Sequence, residues 1–416
     1  MLPEPWHKLY HALKTPALHN TVTGFNVNLD RTITVTRELL QNGPFVRRDM
    51  AEYRSRLIHS MEYATAEECF VEDQPRYQQF YGLFPGRSQL TIGGQAGIAA
   101  AHLTSSGVKK VLCAAGSMGR RTRDILQAAG VTILDFNTGC IDCKDIIHLV
   151  FEYQPGVVPV AEGVVPRNNR FIVSPAHEPA SVLLPEDSME TFLDEISCCT
   201  RAFLSGYHYL RSDREFATAA DRVRRMKRST GDLKVHTEWV TVTDNTITDL
   251  FVRHIIPETD SIGLNEHELE LLCRFTNPGS SRASETREPA PARLVRKALA
   301  LCRATGLARV HVHTLGYYIL ILRKDAADPV GSRTALLFSS AEACRAARGS
   351  ARSVSAEGIR AVGDVAETFG EEISPGLFRS GCYFIVITPA LIVSDIYGTA
   401  GMGDRISSAA FAADPL

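Results

Sequence analysis

The sequence carries little net charge of either sign: 45 lysines and arginines stand against 47 aspartates and glutamates, for a formal charge of -2 and a pI near 6.7. That balance leaves no electrostatic footprint for nucleic acid or an anionic membrane, and points to small ligands as partners. Long apolar runs are also missing. The longest, 382–393, is interrupted by Thr388 and Pro389, falls far short of a bilayer span, and reads as two buried strands. The first residues, Met1-Leu2-Pro3-Glu4-Pro5-Trp6-His7-Lys8, lack a basic stretch followed by an apolar one, so a cytoplasmic protein is expected rather than a secreted one. The ten cysteines are then expected as reduced thiols packed as small hydrophobes. Cys140 and Cys143 have C-x-x-C spacing, but no second pair or paired histidine run accompanies them, which argues against a zinc or redox centre. Internal repeats and long low-complexity segments are absent as well.

What is present is an ordinary globular composition. The 416 residues, 44% hydrophobic and 22% charged, suffice for a sizeable core shared between two lobes. Short β-branched runs alternate with amphipathic segments, the rhythm of an α/β fold. A first strand is expected over 21–29, and helix over 37–80. Residues 110–114, 120–129 and 131–135 read as a strand, a helix and a strand. Strands over 146–153 and 170–174 flank the Pro-, Gly- and Val-rich 154–169, and this part is assigned to a smaller lobe covering the site. The doubly wound pattern resumes with strands at 201–204, 233–238 and 260–264 and a helix at 214–228. Residues 276–292 read as a surface loop, 309–314 as a strand, and 339–361 as a surface helix and loop.

Several polar clusters punctuate this frame. In 399–411, Gly401-Met402-Gly403-Asp404 opens a small-residue helix, where backbone N–H groups can face a developing anion while the aspartate takes a proton. An ordinary Gly-rich turn with an acidic first helical turn has the same pattern. Gly93-Gly94-Gln95 runs into another small-residue helix, which suits close approach of a substrate or plain helix-to-sheet packing. Asn26-x-Asn28-x-Asp30 falls at a strand end, as a ligand site or as a self-bonded polar turn. His236 and Glu238 share one side of a strand. Asn265 and Glu268 have the spacing of a capping-box-like pair, and equally supply oxygens for Mg²⁺ held mainly through its waters. His311 and His313, two apart, suggest a metal only weakly, since no third ligand accompanies them.

Taken in joint order, these motifs resemble the ADP-dependent glucokinase and phosphofructokinase family, a branch of the ribokinase-like kinases. The likeness runs nearly end to end, through Asn26-x-Asn28-x-Asp30, Gly93-Gly94-Gln95-Ala96-Gly97, Ile147-His148-Leu149-Val150-Phe151-Glu152-Tyr153, Asn169-Arg170-Phe171-Ile172, His236-x-Glu238, Asn265-x-x-Glu268, His313-Thr314 and Gly401-x-Gly403-Asp404. The resemblance implies a large doubly wound α/β domain (1–30, 88–136 and 180–416) and a smaller α/β lid (31–87 and 137–179) that closes over a sugar and a nucleotide. It implies Asp404 as the base, with the backbone N–H groups of Gly401, Met402 and Gly403 as an anion hole. It assigns Asn28, Asp30, Gly94, Gln95, His148 and Arg170 to the sugar, together with a lid glutamate, Glu68 or else Glu67. His313, Thr314 and Gly403 fall to the nucleotide, and Glu238, Glu268 and Asn265 to Mg²⁺ and phosphate placement.

ADP is the donor this family implies, with glucose, fructose 6-phosphate or both as acceptor. The chain is expected to act as a monomer or dimer, with no nucleic-acid or membrane partner. An ATP-dependent ribokinase-like kinase is the alternative; a non-catalytic sugar-binding protein fits poorly with the joint presence of Asp404, Glu238 and Glu268. The sequence departs from the pattern Gly-Leu-Gly-Asp-Thr at Met402 and Arg405. The first change is tolerable where backbone groups do the work. Arg405 adds a cation that contacts phosphate, lowers the Asp404 pKa, or projects into solvent. A phosphorylated acceptor calls for cations, for which Arg167 and Arg170 are the candidates, whereas a lid glutamate favours glucose.

Overall fold

The computed structural model describes residues 4–63, 67–84, 90–116, 118–136, 144–157, 164–176, 182–242, 244–276, 288–325, 328–347, 352–393 and 401–416. Its main layer is an 11-stranded sheet. From one edge the order is Glu372–Ser374, Leu377–Ser380, Tyr383–Pro389, Tyr317–Arg323, Arg309–His313, Ser261–Leu264, Lys234–Glu238, Arg201–Leu204, Thr21–Gly24, Val111–Ala115 and Thr132–Asp135. Every neighbouring pair from Arg309–His313 to Thr132–Asp135 is parallel, and the pairs on the other side are antiparallel. Helices cover both faces of the parallel part. That is why Thr21–Gly24, Val111–Ala115, Arg201–Leu204 and Ser261–Leu264 are buried at every position, and why Val111–Ala115 reads as an unbroken apolar run rather than an alternation. Local chemistry sets the helix ends: Asp213–Thr230 starts at Ser212 in a reciprocal capping box with Glu215 and stops at Gly231.

A second, five-stranded sheet runs in the order Glu67–Val71, Asn169–Pro175, Ile147–Tyr153, Asn28–Thr34, Leu90–Gly93. Alternation along these strands divides its faces. Leu149, Phe151, Phe171, Val173 and Cys69 join Phe45, Tyr53, Leu57 and Phe80 in a core beneath the Ala51–Tyr63 and Gln74–Gly82 helices. Phe151 sits edge-on to Phe45, Phe80 and Phe84. The intervening residues Asp30, His148, Arg170, Ile172 and Glu68 face the opposite way, into a cleft shared with the large sheet.

Expected strands and helices at 110–135, 146–153, 170–174, 201–238, 260–264 and 309–314 are present with small shifts of boundary. Others need correction. The expected strand 21–29 is two strands in different sheets, Thr21–Gly24 and Asn28–Thr34. Helix over 37–80 is interrupted by the strand Glu67–Val71. The surface helix expected from 339 is the buried second half of Pro329–Ala346, whose Ser339, Ser340 and Ala343 pack inside. Within 382–393, Tyr383–Pro389 belongs to the large sheet, while Leu391–Val393 pairs with Arg352–Val354 in a separate two-stranded sheet with Ile392 exposed. The expected loop 276–292 already carries the start of the helix Ala290–Thr305, and its 277–287 lie outside the described residues, as do Cys140 and Cys143. The smaller sheet takes in Asn28–Thr34 and Leu90–Gly93, beyond both edges of the segment 31–87. The described cysteines are free thiols, and all but Cys198 and Cys382 are buried. Among the described residues no helix is long and apolar enough to cross a membrane.

Candidate active site

The cleft is built where the parallel strands of the large sheet end, against the open face of the small sheet. At its floor the helix Met402–Ala412 begins. Gly401 is the residue before it, with φ +67, and a Cβ there would come 2.5 Å from Ile98 Cδ1. Only glycine suits that left-handed turn and that close approach. No side chain among the described residues caps this helix, so its first N–H groups point at the cleft as an anion-binding mouth. Asp404 stands in the first turn and lines the cleft with Gly401 and Gly403. Met402 offers only its backbone, its side chain packing towards Cys344, Ala347 and Val393. Thr399 and Ala400 lie outside the described residues.

Burial pushes the Asp404 carboxyl up to about 6, the charge of Glu238 adding to the shift while Arg170, His313 and a hydrogen bond with Gln95 oppose it. Such a carboxylate is still ionised at neutral pH, yet basic enough to take a proton. Of the alternatives for Arg405, its placement is outside the cleft lining and partly buried, where its charge meets His102 of the helix Gln95–Ser105 and that of Asp404, whose own shift burial decides.

Glu238 ends the strand Lys234–Glu238 and is locked from three sides. His313 Nε2 lies 2.9 Å from its Oε1, while His236 Nε2 lies 3.0 Å and Ser407 Oγ 2.6 Å from its Oε2. Behind them His236 Nδ1 meets Ser261 Oγ at 2.7 Å, and Ser261 accepts from Arg309 Nη1 at 2.9 Å. Arg309 in turn pairs with Asp414, both wholly buried. Burial alone would favour a neutral carboxyl at Glu238, but the two histidines outweigh it and hold Glu238 ionised; reciprocally, Glu238 overcomes burial to hold His313 protonated. His311, the neighbour two residues before, is buried with both ring nitrogens unpartnered and does not reach the cleft.

Asn265 and Glu268 line the cleft as a reciprocal cap. Glu268 Oε2 accepts from Asn265 N at 2.7 Å, and Asn265 Oδ1 accepts from Glu268 N at 2.9 Å. Burial drives Glu268 up to about 8, with Glu238 and Asp404 adding to the shift against the Asn265 amide and His313. The capping alternative read from the sequence is present, and the capped pair places a crowded carboxyl beside Glu238 and Asp404. Among the described residues no three acidic, histidine or cysteine side chains are placed to hold a metal directly. The donor set is nonetheless hard oxygen in excess of positive charge, which suits Mg²⁺ held through its waters.

On the sugar side, strand register brings the expected residues together. Asp30 lies opposite His148, and Glu68 opposite Ile172, all on the cleft face. Asn28 Nδ2 donates to Asp30 Oδ1 at 2.8 Å. Burial pushes Asp30 up to about 7, against the Asn28 bond and Arg170 and with Glu68 and Asp404 adding to it. Glu68 accepts from Ser174 Oγ at 2.5 Å and lies 3.7 Å from His148 Nδ1, whereas Glu67 turns away to Arg56. Gly94, at φ +70, would bring a Cβ 2.5 Å from Asn26 O. Asn26 Oδ1, Asn28 Oδ1 and Gln95 Oε1 are buried acceptors without a partner among the described residues, at a site where such atoms require one.

Thr314, like the Met402 side chain, does not join the cleft. Its hydroxyl donates to Tyr317 O and accepts from Gly316 N and Tyr317 N, closing its own turn. The sequence reading missed His208, Tyr209 and Trp239, which also line the cleft. Trp239 directly follows the strand Lys234–Glu238, and His208 and Tyr209 lie in the short turn Tyr207–Tyr209 after Arg201–Leu204, so the rule that ligands gather beyond strand ends points to them.

An uncapped helix mouth with a buried carboxylate, facing a lid-like sheet that turns Asp30, Glu68, His148 and Arg170 into the same cleft, defines a two-part α/β phosphotransferase for a small hydroxylated acceptor. The chain belongs to the ADP-specific phosphofructokinase/glucokinase family, whose conserved region matches residues 20–413. It is 26% identical over 457 residues to the ADP-dependent glucose/glucosamine kinase of Pyrococcus furiosus, covering 98% of each chain. To the ADP-specific phosphofructokinase of Pyrococcus abyssi it is 26% identical over 443 residues, 94% of this chain and 96% of that one. The fold matches that of an ADP-dependent kinase solved with fructose 6-phosphate and ADPβS, with a TM-score of 0.82 at 22% identity over 99% of this chain and 96% of the other. The chain is thus an ADP-dependent sugar kinase by family.

Proposed function

We propose that the protein transfers the β-phosphoryl group of ADP to a hydroxyl of a hexose, releasing AMP, with Asp404 as the base and the large and lid domains closing over the reactants. The observation that carries this reading is the meeting, in one cleft, of Asp404 at an uncapped helix N-terminus with the unpartnered acceptors of Asn26, Asn28 and Gln95. Sugar hydroxyls are the donors those acceptors lack. Asp404 takes the proton from the attacking hydroxyl, and the N–H groups of Gly401, Met402 and Gly403 face the charge that spreads over the phosphoryl oxygens. His313, held cationic by Glu238, lies beneath Gly403 and adds positive charge there. Glu238, Asn265 and Glu268 would hold Mg²⁺ through its waters, and the ion, when bound, would neutralise charge on the phosphate oxygens. A closed cleft excludes water, which would otherwise compete with the sugar as acceptor.

For the acceptor, Glu68 and Asp30 on the cleft face favour an uncharged hexose such as glucose, because carboxylates repel a phosphate. Arg170 on the same face supports the second reading, fructose 6-phosphate. The test is a panel of glucose, fructose 6-phosphate and other hexoses with Mg²⁺ and either ADP or ATP, read as AMP or ADP released. Efficient turnover of a hexose with ADP and little with ATP is expected, since a third phosphate seated in the same nucleotide site would be driven against Asp404. Comparable kcat/KM for ATP and ADP would overturn the donor assignment. AMP should inhibit competitively with ADP.

A further inference from the structure

Glu68 sits on a strand with little to hold it. Glu67–Val71 is five residues long, forms the edge of the small sheet, and among the described residues pairs with one neighbour only, Asn169–Pro175. Because side chains alternate, a slip of one residue would carry Glu68 from the cleft to the core face and Cys69 the other way. The apolar side resists this through Cys69 and Val71 in the lid core, and on the cleft side Phe70 meets Tyr209 edge to face at 6.1 Å.

A polar clamp acts on the same three positions. Arg56, on the helix Ala51–Tyr63, places its guanidinium across the strand. Nε donates to Glu67 Oε1 at 2.6 Å, Nη2 to the Glu68 carbonyl at 3.4 Å, and Nη1 to Cys69 Sγ at 2.7 Å. One planar, five-donor group thus reads three consecutive residues, which a lysine has no geometry to do. Arg56 and Glu67 are each about one-third exposed, so the ion pair contributes little to stability by itself. Its consequence is geometric, because it fixes the strand that aims Glu68.

We propose that Arg56 is a positioning residue for acceptor recognition: by clamping Glu67, Glu68 and Cys69 it sets the position of the Glu68 carboxylate in the cleft without touching the ligand. The proposal rests on the reading of the cleft as a hexose site. Three consequences follow. Arg56→Ala raises KM for the hexose roughly tenfold, the size of a coupling of about 1.4 kcal/mol, with KM for ADP unchanged. Arg56→Lys, retaining the charge but not the fork, recovers only part. In a Glu68→Gln background, replacing Arg56 adds little, because the group it positions has already been altered.

The experiment is a double-mutant cycle on Arg56 and Glu68. Kinetics with ADP and the best hexose are read beside hexose binding, followed by the fluorescence of Trp239 in the cleft wall. Non-additive losses confined to hexose KM support the proposal. Losses that add fully, or that fall equally on ADP, overturn it in favour of a general role in lid stability. If Arg56→Ala does not fold, Arg56→Lys and Glu67→Gln carry the same cycle. A wild-type protein that binds hexose but transfers no phosphate from ADP would refute the kinase reading while leaving the binding cycle to judge Arg56.

Discussion

Gly263 lies opposite Glu238 in the parallel ladder of the large sheet, and the space its side chain would fill is occupied by the Glu238 carboxylate: a Cβ on Gly263 would fall 2.0 Å from Oε2, and 2.5 Å from Ser407 Oγ. The same relationship recurs on the sugar side, where a Cβ on Gly93 would fall 2.1 Å from Asp30 Oδ1. Gly403 is a third case, its Cβ position 2.9 Å from His313 Cε1. Glycines here make room for functional side chains as much as for ligand.

Gly263→Ala should therefore displace Glu238 and break its bonds with His236 and Ser407. Overpacking of this kind costs about 1–3 kcal/mol, so calorimetry should record a lower Tm, and kinetics a raised Mg²⁺ requirement. Wild-type values for both would show that the packing around Glu238 yields without consequence.

How much of this was visible in the sequence depends on what set each feature. Parallel strands such as Val111–Ala115 were legible because burial on both faces writes itself as an apolar run, and the site motifs through their joint order, since each alone also fits an ordinary turn or cap. Glu67–Val71 was hidden: two glutamates and neighbouring helix formers favour helix locally, and pairing with Asn169–Pro175 overrides that preference. The break between Thr21–Gly24 and Asn28–Thr34 was hidden too, since 25–27 are as buried as the strands they join. Ser339 and Ser340 read as surface because their hydroxyls are polar. Inside, Ser339 donates to Leu336 O and Ser340 accepts from Leu391 N, which removes the cost. Gly93 was legible as a close approach, but the approaching group is Asp30 and not only a ligand.

Glu238→Gln and Glu268→Gln should each raise the Mg²⁺ concentration for half-maximal rate, because each removes a carboxylate from the cluster that would bind the hydrated ion. The Glu238 change should be the larger, since it also releases His313 and His236. Superimposable Mg²⁺ titrations for wild type and both variants would leave Glu268 as a helix cap alone.

Asp404→Asn keeps the shape of the residue but cannot accept a proton. A loss of about 10²- to 10⁴-fold in kcat is expected, as for other general bases, with hexose binding by Trp239 fluorescence near wild type. Retention of more than half of kcat would assign the proton to another group.

The pH profile tests the same residue without removing it. As the proposed base Asp404 would work as the anion, and burial together with the Glu238 charge pushes its pKa up to about 6. In the free enzyme kcat/KM for the hexose should accordingly rise about tenfold per pH unit below that value and level off above it. Arg170 faces Asp404 in the cleft and lowers its pKa by favouring the charged form. Arg170→Gln removes that cation, so the carboxylate becomes easier to protonate and the acidic limb must move to higher pH. The shift reads out separately from any loss of affinity, because a weaker sugar contact lowers the whole curve while a change in pKa slides it along the axis. Asp30, held near 7 by burial, also feels Arg170. Glu68, raised by burial, feels it as well, so repeating the comparison in the Asp30→Asn, Glu68→Gln double variant leaves Asp404 as the carboxyl that moves. A limb that stays fixed, or shifts to lower pH, in the Arg170 variant would mean that the group titrating there is not Asp404.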